Sequence, residues 1–427
     1  MADFTSQVYQ NEFLPDGGTD VNAIVTMTCS GAGTAGQSSG GGDAGEIIIV
    51  DTSGSMGDTN MEAAKNAAIA ALDHIVDGTW FAVVAGNHQA YLAYPVTRGG
   101  QGMVRMDAST RYQAAQAIRY FHSDGGTAMG SWLNLTRALF NSVPGVRQRH
   151  AILLTDGENH NETPQQLDAA IQASIGQFQV DCRGIGVDWQ VGEIRRISQA
   201  LLGTVDLIPS PQEMSAVFSE LMQKSMGRGV AEAELRVWAP QGAQVLFVRQ
   251  VSPTVEDLTS RSRQVNPLTT AYPTGAWGDE SRDYHVAVRL AARAVGQEQL
   301  AARVQLAVND QVVTQALVKA TWSTDDTLTT RINPAVAHYT GQTELADAIQ
   351  QGLAAKAAGD DATATTRLGR AVQLARETGN DEATAKLRKV VDIDNDATGT
   401  VRLKRSVDKA DEMALDTAST KTTRIRG

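Results

Sequence analysis

Asp51-Thr52-Ser53-Gly54-Ser55 sets a carboxylate and two hydroxyls at alternate positions, directly after the β-branched run Ile47-Ile48-Ile49-Val50. A second carboxylate, Asp156, follows the apolar run Ala151-Ile152-Leu153-Leu154 within Thr155-Asp156-Gly157. A third hydroxyl, Thr127, sits in the turn Asp124-Gly125-Gly126-Thr127-Ala128-Met129-Gly130. Gathered in one place, these five side chains offer only hard oxygen ligands. That donor set suits a small hard cation such as Mg²⁺ or Mn²⁺, and Mg²⁺ keeps some of its waters. Zinc chemistry does not fit, because neither Cys nor His is placed to help.

The elements around these residues must bring them together. Ile47–Val50 and Ala151–Leu154 read as strands buried on both faces of a parallel sheet. Trp80–Ala85 and Gln89–Tyr94 read as two strands joined by the turn Gly86-Asn87-His88. Helical spacing covers Met61–Ile75, Ser109–Phe121, Ser131–Val143 and Thr163–Ile175, the last with Pro164 at its first position. Strand, helix, strand and helix then follow at Phe178–Val187, Gly192–Leu201, Val205–Ile208 and Gln212–Ser225. This alternation predicts a doubly wound, mostly parallel α/β sheet, in which ligands gather at the carboxyl ends of the strands where the order reverses.

Beyond Gly229 the apolar period shortens to two. Leu235, Val237, Val286, Val288, Val304 and Leu306 lie in short alternating segments, which predicts an antiparallel β-sandwich. Val21–Thr28 alternates in the same way and is expected to join that sandwich rather than the parallel sheet. After Asn333-Pro334 helical spacing returns at Glu344–Ala358, Asp361–Glu377 and Glu382–Val391. The expected organisation is a strand segment at 1–30, a Gly-rich linker at 31–45, the α/β domain at 46–228, the sandwich at 229–332, a helical region at 333–415 and a mobile tail at 416–427. The Gly/Ser/Ala tract 30–45 holds no Lys and does not make a phosphate-binding loop.

Asp51-x-Ser53-x-Ser55, with Thr127 and then Asp156 downstream, resembles the metal-ion-dependent adhesion site of von Willebrand factor type A domains, with all five positions filled in order. The resemblance implies that Ser53, Ser55 and Thr127 touch the metal directly while Asp51 and Asp156 hold its waters. It also implies a coordination position left for an Asp or Glu of a protein ligand. A metal held mainly by neutral hydroxyls keeps enough positive charge to attract that carboxylate. The match runs from about Glu46 to Met226, and the rest of the chain is similar to multidomain bacterial members only loosely. The alternative for Ser53 and Ser55 is that they merely cap the next helix.

Other features carry other expectations. Asp392-Ile393-Asp394-Asn395-Asp396 imitates the start of a calcium loop, but Ala397 and Leu403 stand where that loop needs Gly and Glu, so a solvated acidic turn is expected. Glu158, Asn159, His160 and Glu162 are expected to rim the metal face. In the tail, Thr422 with Ile425 three residues later resembles ligands of forkhead-associated domains, which would give the chain a phosphothreonine-reading partner. A net charge of -11 argues against nucleic acid as the partner. No apolar run approaches a membrane span, and Met1-Ala2-Asp3-Phe4 is no signal peptide, so a cytoplasmic protein is expected. No Ser-His-Asp set or nucleophile elbow appears, and the expected function is a non-enzymatic, metal-dependent binding module acting as a signalling or assembly adaptor. A metal-dependent phosphohydrolase and a scaffold with an incidental metal site are the alternatives.

Overall fold

The computed structural model describes residues 2–36, 43–96 and 102–425. The chain forms two compact units, one built from Gly31–Glu232 with Gly275–Gly278, the other from Asp3–Ser30, Ala233–Thr274 and Asp279–Gly427.

The first unit holds a seven-stranded sheet whose order along the main path is Val205–Ile208, Gln179–Ile185, Val146–Thr155, Asp43–Asp51, Trp80–Gly86, Ala90–Tyr94. Asp43–Asp51 runs parallel to both of its neighbours and is buried almost along its whole length. That is why it reads as an unbroken apolar run rather than an alternating one. From this strand the chain goes first to Trp80–Gly86 on one side and later to Val146–Thr155 on the other. The order therefore reverses between Asp43–Asp51 and Val146–Thr155, so their carboxyl ends open into a crevice. Helix Gly57–Leu72 is Ala-rich because its Ala64, Ala67, Ala68 and Ala71 pack closely with Met214, Phe218 and Met222 against the sheet.

At the opposite end of the sheet, His150 is buried between two carboxylates, with Nδ1 2.7 Å from Glu46 Oε1 and Nε2 3.0 Å from Asp181 Oδ2. Burial pulls the imidazole's pKa down, but Glu46 and Asp181 overcome this and hold it at about 9. Ser225 Oγ donates to the second Glu46 oxygen at 2.8 Å, fastening the end of helix Met214–Met226 to the strand.

The segment expected to be a linker is partly built into this unit. Ala32 and Ala35 are buried, Ala35 N donates to Met226 O at 2.8 Å, and Asp43–Gly45 already belong to the central strand. The middle of that Gly-rich stretch, 37–42, lies outside the described residues.

The second unit contains a five-stranded sheet, in which Asp20–Ser30 lies between Asp3–Gln10 and Glu280–Arg289. Val21–Thr28 thus sits in an antiparallel sheet, with Val25 opposite Tyr284. A six-stranded, mostly antiparallel sheet accompanies it, in the order Arg263–Asn266, Thr269–Trp277, Val230–Trp238, Glu298–Val308, Gln311–Trp322, Phe13–Leu14. The helices that follow differ from the sequence expectation at their ends. The first spans Pro334–Ala357, starting ten residues before Glu344. Asn333 caps it by accepting from Ala335 N, and Pro334 occupies the first turn where no N–H is needed. Val391–Asn395 and Thr400–Leu403 form a hairpin, and all of Asp392–Asp396 but its last residue is therefore strand rather than a free acidic turn. A further helix covers Lys409–Ala418.

The tail is the clearest correction. Residues 416–425 are not loose: Thr422 Oγ1 donates to Val251 O at 2.7 Å, Thr422 N donates to Pro253 O, and Val255 N donates to Thr420 O. Arg424 makes two bonds, of 3.1 and 3.0 Å, to the buried carboxylate of Asp283. A buried charge needs a partner, and the tail supplies it. No helix among the described residues is long and apolar enough to cross a membrane.

Candidate metal site

Asp51 and Asp156 reach one place because their strands are parallel neighbours, with Val50 aligned on Leu154. Asp51 is buried at the last position of its strand. Its Oδ1 accepts from Ser53 N at 2.8 Å and its Oδ2 from Thr155 Oγ1 at 2.5 Å. These bonds fold the chain back over the strand end and turn the Ser53 hydroxyl toward the crevice. Ser53 keeps an extended backbone and makes no side-chain capping bond to the short 3₁₀ turn Gly54–Met56. The capping alternative is thereby set aside. The Ser53 hydroxyl instead lies 2.9 Å from Ser55 Oγ, and Ser55 Oγ donates to Asp156 Oδ1 at 2.7 Å. Asn60, in the first turn of helix Gly57–Leu72, holds the other Asp156 oxygen at 3.1 Å.

Thr127 arrives from a separate loop that is sewn to the first by backbone bonds. Asp124 N donates to Thr52 O, and Gly54 N donates to Gly125 O, each at 2.8 Å. Gly125 has φ +73, and a Cβ there would stand 2.4 Å from His88 Nδ1, so both the conformation and the space call for glycine. Gly157 marks where the three loops converge. A Cβ on it would lie 2.9 Å from Ser55 Oγ and 3.4 Å from Thr127 Oγ1. All five expected residues are therefore brought into one crevice.

The loop after Asp156 does more than rim the site. Asn161 Oδ1 accepts from Thr127 N at 3.0 Å, Asn159 Oδ1 from Met129 N at 2.9 Å, and Glu162 Oε1 from Gly130 N at 2.6 Å. Asn159 and Glu162 thus satisfy two of the otherwise unpaired N–H groups at the start of helix Met129–Asn141, and Asn161 fixes Thr127. His160 is exposed beside Glu158 at 3.3 Å. Sequence reasoning missed Thr155, Asn60 and Asn161. Of these only Thr155 stood next to an expected ligand, Asp156, at the end of an apolar strand.

Burial pushes the Asp51 carboxyl up to about 6, against the opposing hydrogen bonds from Ser53 and Thr155. Asp156 is raised as well, chiefly by burial, with the Asp188 charge adding to it. Two carboxylates forced together out of water are an arrangement that a cation relieves. Among the described residues no group of three or more His, Cys, Asp or Glu is placed to hold a metal. A cation in this crevice would rest on hydroxyls and two carboxylates, and that donor set fits the hard-cation chemistry expected from the sequence.

Comparison with known proteins extends the likeness along the chain. Residues 47–202 match the von Willebrand factor type A domain, and residues 373–419 match the von Willebrand factor type A C-terminal domain. A solved structure of a von Willebrand factor type A protein from Catenulispora acidiphila is 48% identical, covers 99% of this chain and 97% of that one, and superposes with a TM-score of 0.93. VWA2, an ArnB paralog from Sulfolobus acidocaldarius, is 12% identical with a TM-score of 0.56 over 98% of both chains, which shows the shared fold alone. An uncharacterized Synechocystis protein is 31% identical over 222 residues, 51% of this chain, and the match spans about half the length of that curated relative. The similarity thus reaches well past Met226, into the sandwich and helical regions, and the chain belongs to the von Willebrand factor type A family.

Proposed function

We propose that this chain binds a protein partner through a divalent cation held by Asp51, Ser53, Ser55, Thr127 and Asp156, with the partner contributing an Asp or Glu carboxylate. Domains of this type generally mediate protein–protein interaction, often through a metal at this motif. The observation that carries the reading is the continuous contact from Ser53 through Ser55 to Asp156, with Thr127 facing the same point. Hydroxyls would neutralise little of the cation's charge, leaving it attractive to an external carboxylate. Mg²⁺ or Mn²⁺ is the proposed ion, because the donors are all hard oxygens.

The role is non-enzymatic. Both oxygens of Asp51 accept bonds from protein donors, so the carboxylate is a fixed acceptor rather than a free nucleophile of the kind a phosphohydrolase would need. Within a cytoplasmic setting the chain would act as a signalling or assembly adaptor. The tail threonines carry no part of this, since Thr422 and Thr423 are engaged by Val251, Pro253 and Gln342.

Affinity capture from the native cell tests the proposal. The same partners should be retained in Mg²⁺ and lost with chelator or with Ser53→Ala. Equal capture under all three conditions would leave the metal incidental and favour the scaffold reading.

A further inference from the structure

The five loops that surround the crevice cover 52–60, 86–89, 120–128, 156–163 and 186–190. None of them contains a Lys or an Arg. They do contain Asp58, Asp124, Glu158 and Asp188, of which Asp58, Asp124 and Asp188 are exposed and Glu158 is half-buried. Direct contacts tie these loops to the site. Asp58 shares a helix turn with Asn60, which holds Asp156. Asp124 is bonded through its backbone to Thr52. Glu158 accepts from Gln190 Nε2 at 2.6 Å, and the Asp188 charge reaches Asp156. Basic residues flank the loops without lying in them: Arg119 ends helix Ala108–Arg119 just before the third loop, Arg183 donates to Cys182 O and Thr204 Oγ1, Lys65 pairs with Glu62 and Arg196 with Asp168.

A ligand approaching this face meets one focal positive charge, a bound cation, inside a ring of negative ones. For a lone carboxylate the focal attraction acts at contact distance, whereas the ring acts on whatever flanks it. Acidic flanks would be repelled and basic flanks drawn in. We infer that the partner segment presents an isolated Asp or Glu flanked by Lys or Arg, and that the acidic loops around the crevice select against acidic tracts. This rests on the metal–carboxylate reading proposed above and narrows it to a ligand chemistry.

The test uses the full-length chain with MnCl₂ and three synthetic peptides of equal length. Each carries one central Asp, flanked by Lys and Arg, by Gly and Ser, or by Glu. Fluorescence anisotropy with Mn²⁺ and with EDTA reads the affinities. The basic-flanked peptide should bind at least ten times more tightly than the Glu-flanked one, and only when Mn²⁺ is present. The ratio should shrink as salt rises toward 0.5 M, where exposed charges are screened within about 5 Å. The double variant Asp58→Lys with Asp188→Lys should reduce or reverse the preference. Mn²⁺-dependent binding with equal or tighter affinity for the Glu-flanked peptide overturns the inference and leaves the metal–carboxylate reading standing. Mn²⁺-independent binding of every peptide overturns the metal–carboxylate reading, and the inference with it.

Discussion

Ser55 Oγ donates to Asp156 Oδ1 across 2.7 Å, although 101 residues separate the two in the chain. The bond exists because parallel strands deliver their carboxyl ends to one edge, and helix Gly57–Leu72 starts just beyond the first of them. It joins the two halves of the site before any metal is considered. A cation that inserts there exchanges this bond for coordination, and the scaffold is already in place.

Gly157 is the tightest point in that arrangement. In Gly157→Ala the new methyl carbon would crowd Ser55 Oγ at 2.9 Å and Thr127 Oγ1 at 3.4 Å. Mn²⁺ affinity should fall by about tenfold or more, the equivalent of at least 1.4 kcal/mol, while far-UV circular dichroism stays unchanged. Retained affinity would show that these hydroxyls do not form the ion's contacts.

Asp51 is predicted to be a liability without metal. Its carboxyl is buried and raised to about 6, so at neutral pH its charge is held out of water at a cost. Mg²⁺ should therefore raise the melting temperature of the native chain, as any ligand selective for the folded state does. Asp51→Asn should lose that response, and its metal-free melting temperature should equal or exceed that of the native chain. Differential scanning fluorimetry with and without Mg²⁺ reads both.

His150 makes stability depend on pH at the other end of the sheet. Its folded pKa of about 9 exceeds the ordinary value of 6.5. A raised basic group contributes stability that is fully present below 6.5 and lost as pH climbs through 9. Denaturant midpoints should fall across that window, as the unfolding free energy drops by on the order of 2 kcal/mol. His150→Gln leaves the buried Glu46 and Asp181 carboxylates without the cation between them, and should cost roughly 3–5 kcal/mol while flattening the pH dependence. A midpoint that stays level between pH 6.5 and 9 in the native chain contradicts the charged assignment.

The tail is predicted to stabilise the second unit. Arg424 is half-exposed but answers a buried Asp283 that also accepts from Thr26 and Tyr339. Arg424→Ala should lower stability by about 1–2 kcal/mol, less than a fully buried pair because water reaches the guanidinium. Chemical denaturation of this variant, beside one truncated after Ser419, should show losses of the same sign. An unchanged midpoint in both would mean that the tail is not held in solution.

Much of the α/β unit was legible because its strands are buried on both faces and its helices alternate with them. The unbroken runs at Ile47–Val50 and Ala151–Leu154 announced the parallel neighbours, and the oxygen ligands stood directly at their ends. The supporting bonds were less legible. Thr155 and Asn161 act through partners 104 and 34 residues away, a separation that no local pattern encodes. Helix Pro334–Ala357 began earlier than its apolar spacing suggested because its inward face there includes Gln342, a buried polar residue satisfied by Asn380 and Thr423. The Asn333-Pro334 pair, read from the sequence only as the border of the helical region, is the cap and first turn of that helix. In the tail, polarity suggested freedom. Thr422, Thr423 and Arg424 instead have fixed partners in the sandwich and the helices, which composition alone does not reveal.

The central claim is that Asp51, Ser53, Ser55, Thr127 and Asp156 hold one divalent cation. Isothermal titration of the full chain with MnCl₂ tests it most directly, with Thr127→Val and Asp51→Asn measured beside the native protein and circular dichroism confirming the fold of each. The account predicts one Mn²⁺ per native chain and loss of that binding in both variants. Unchanged stoichiometry and affinity in the two folded variants would contradict it.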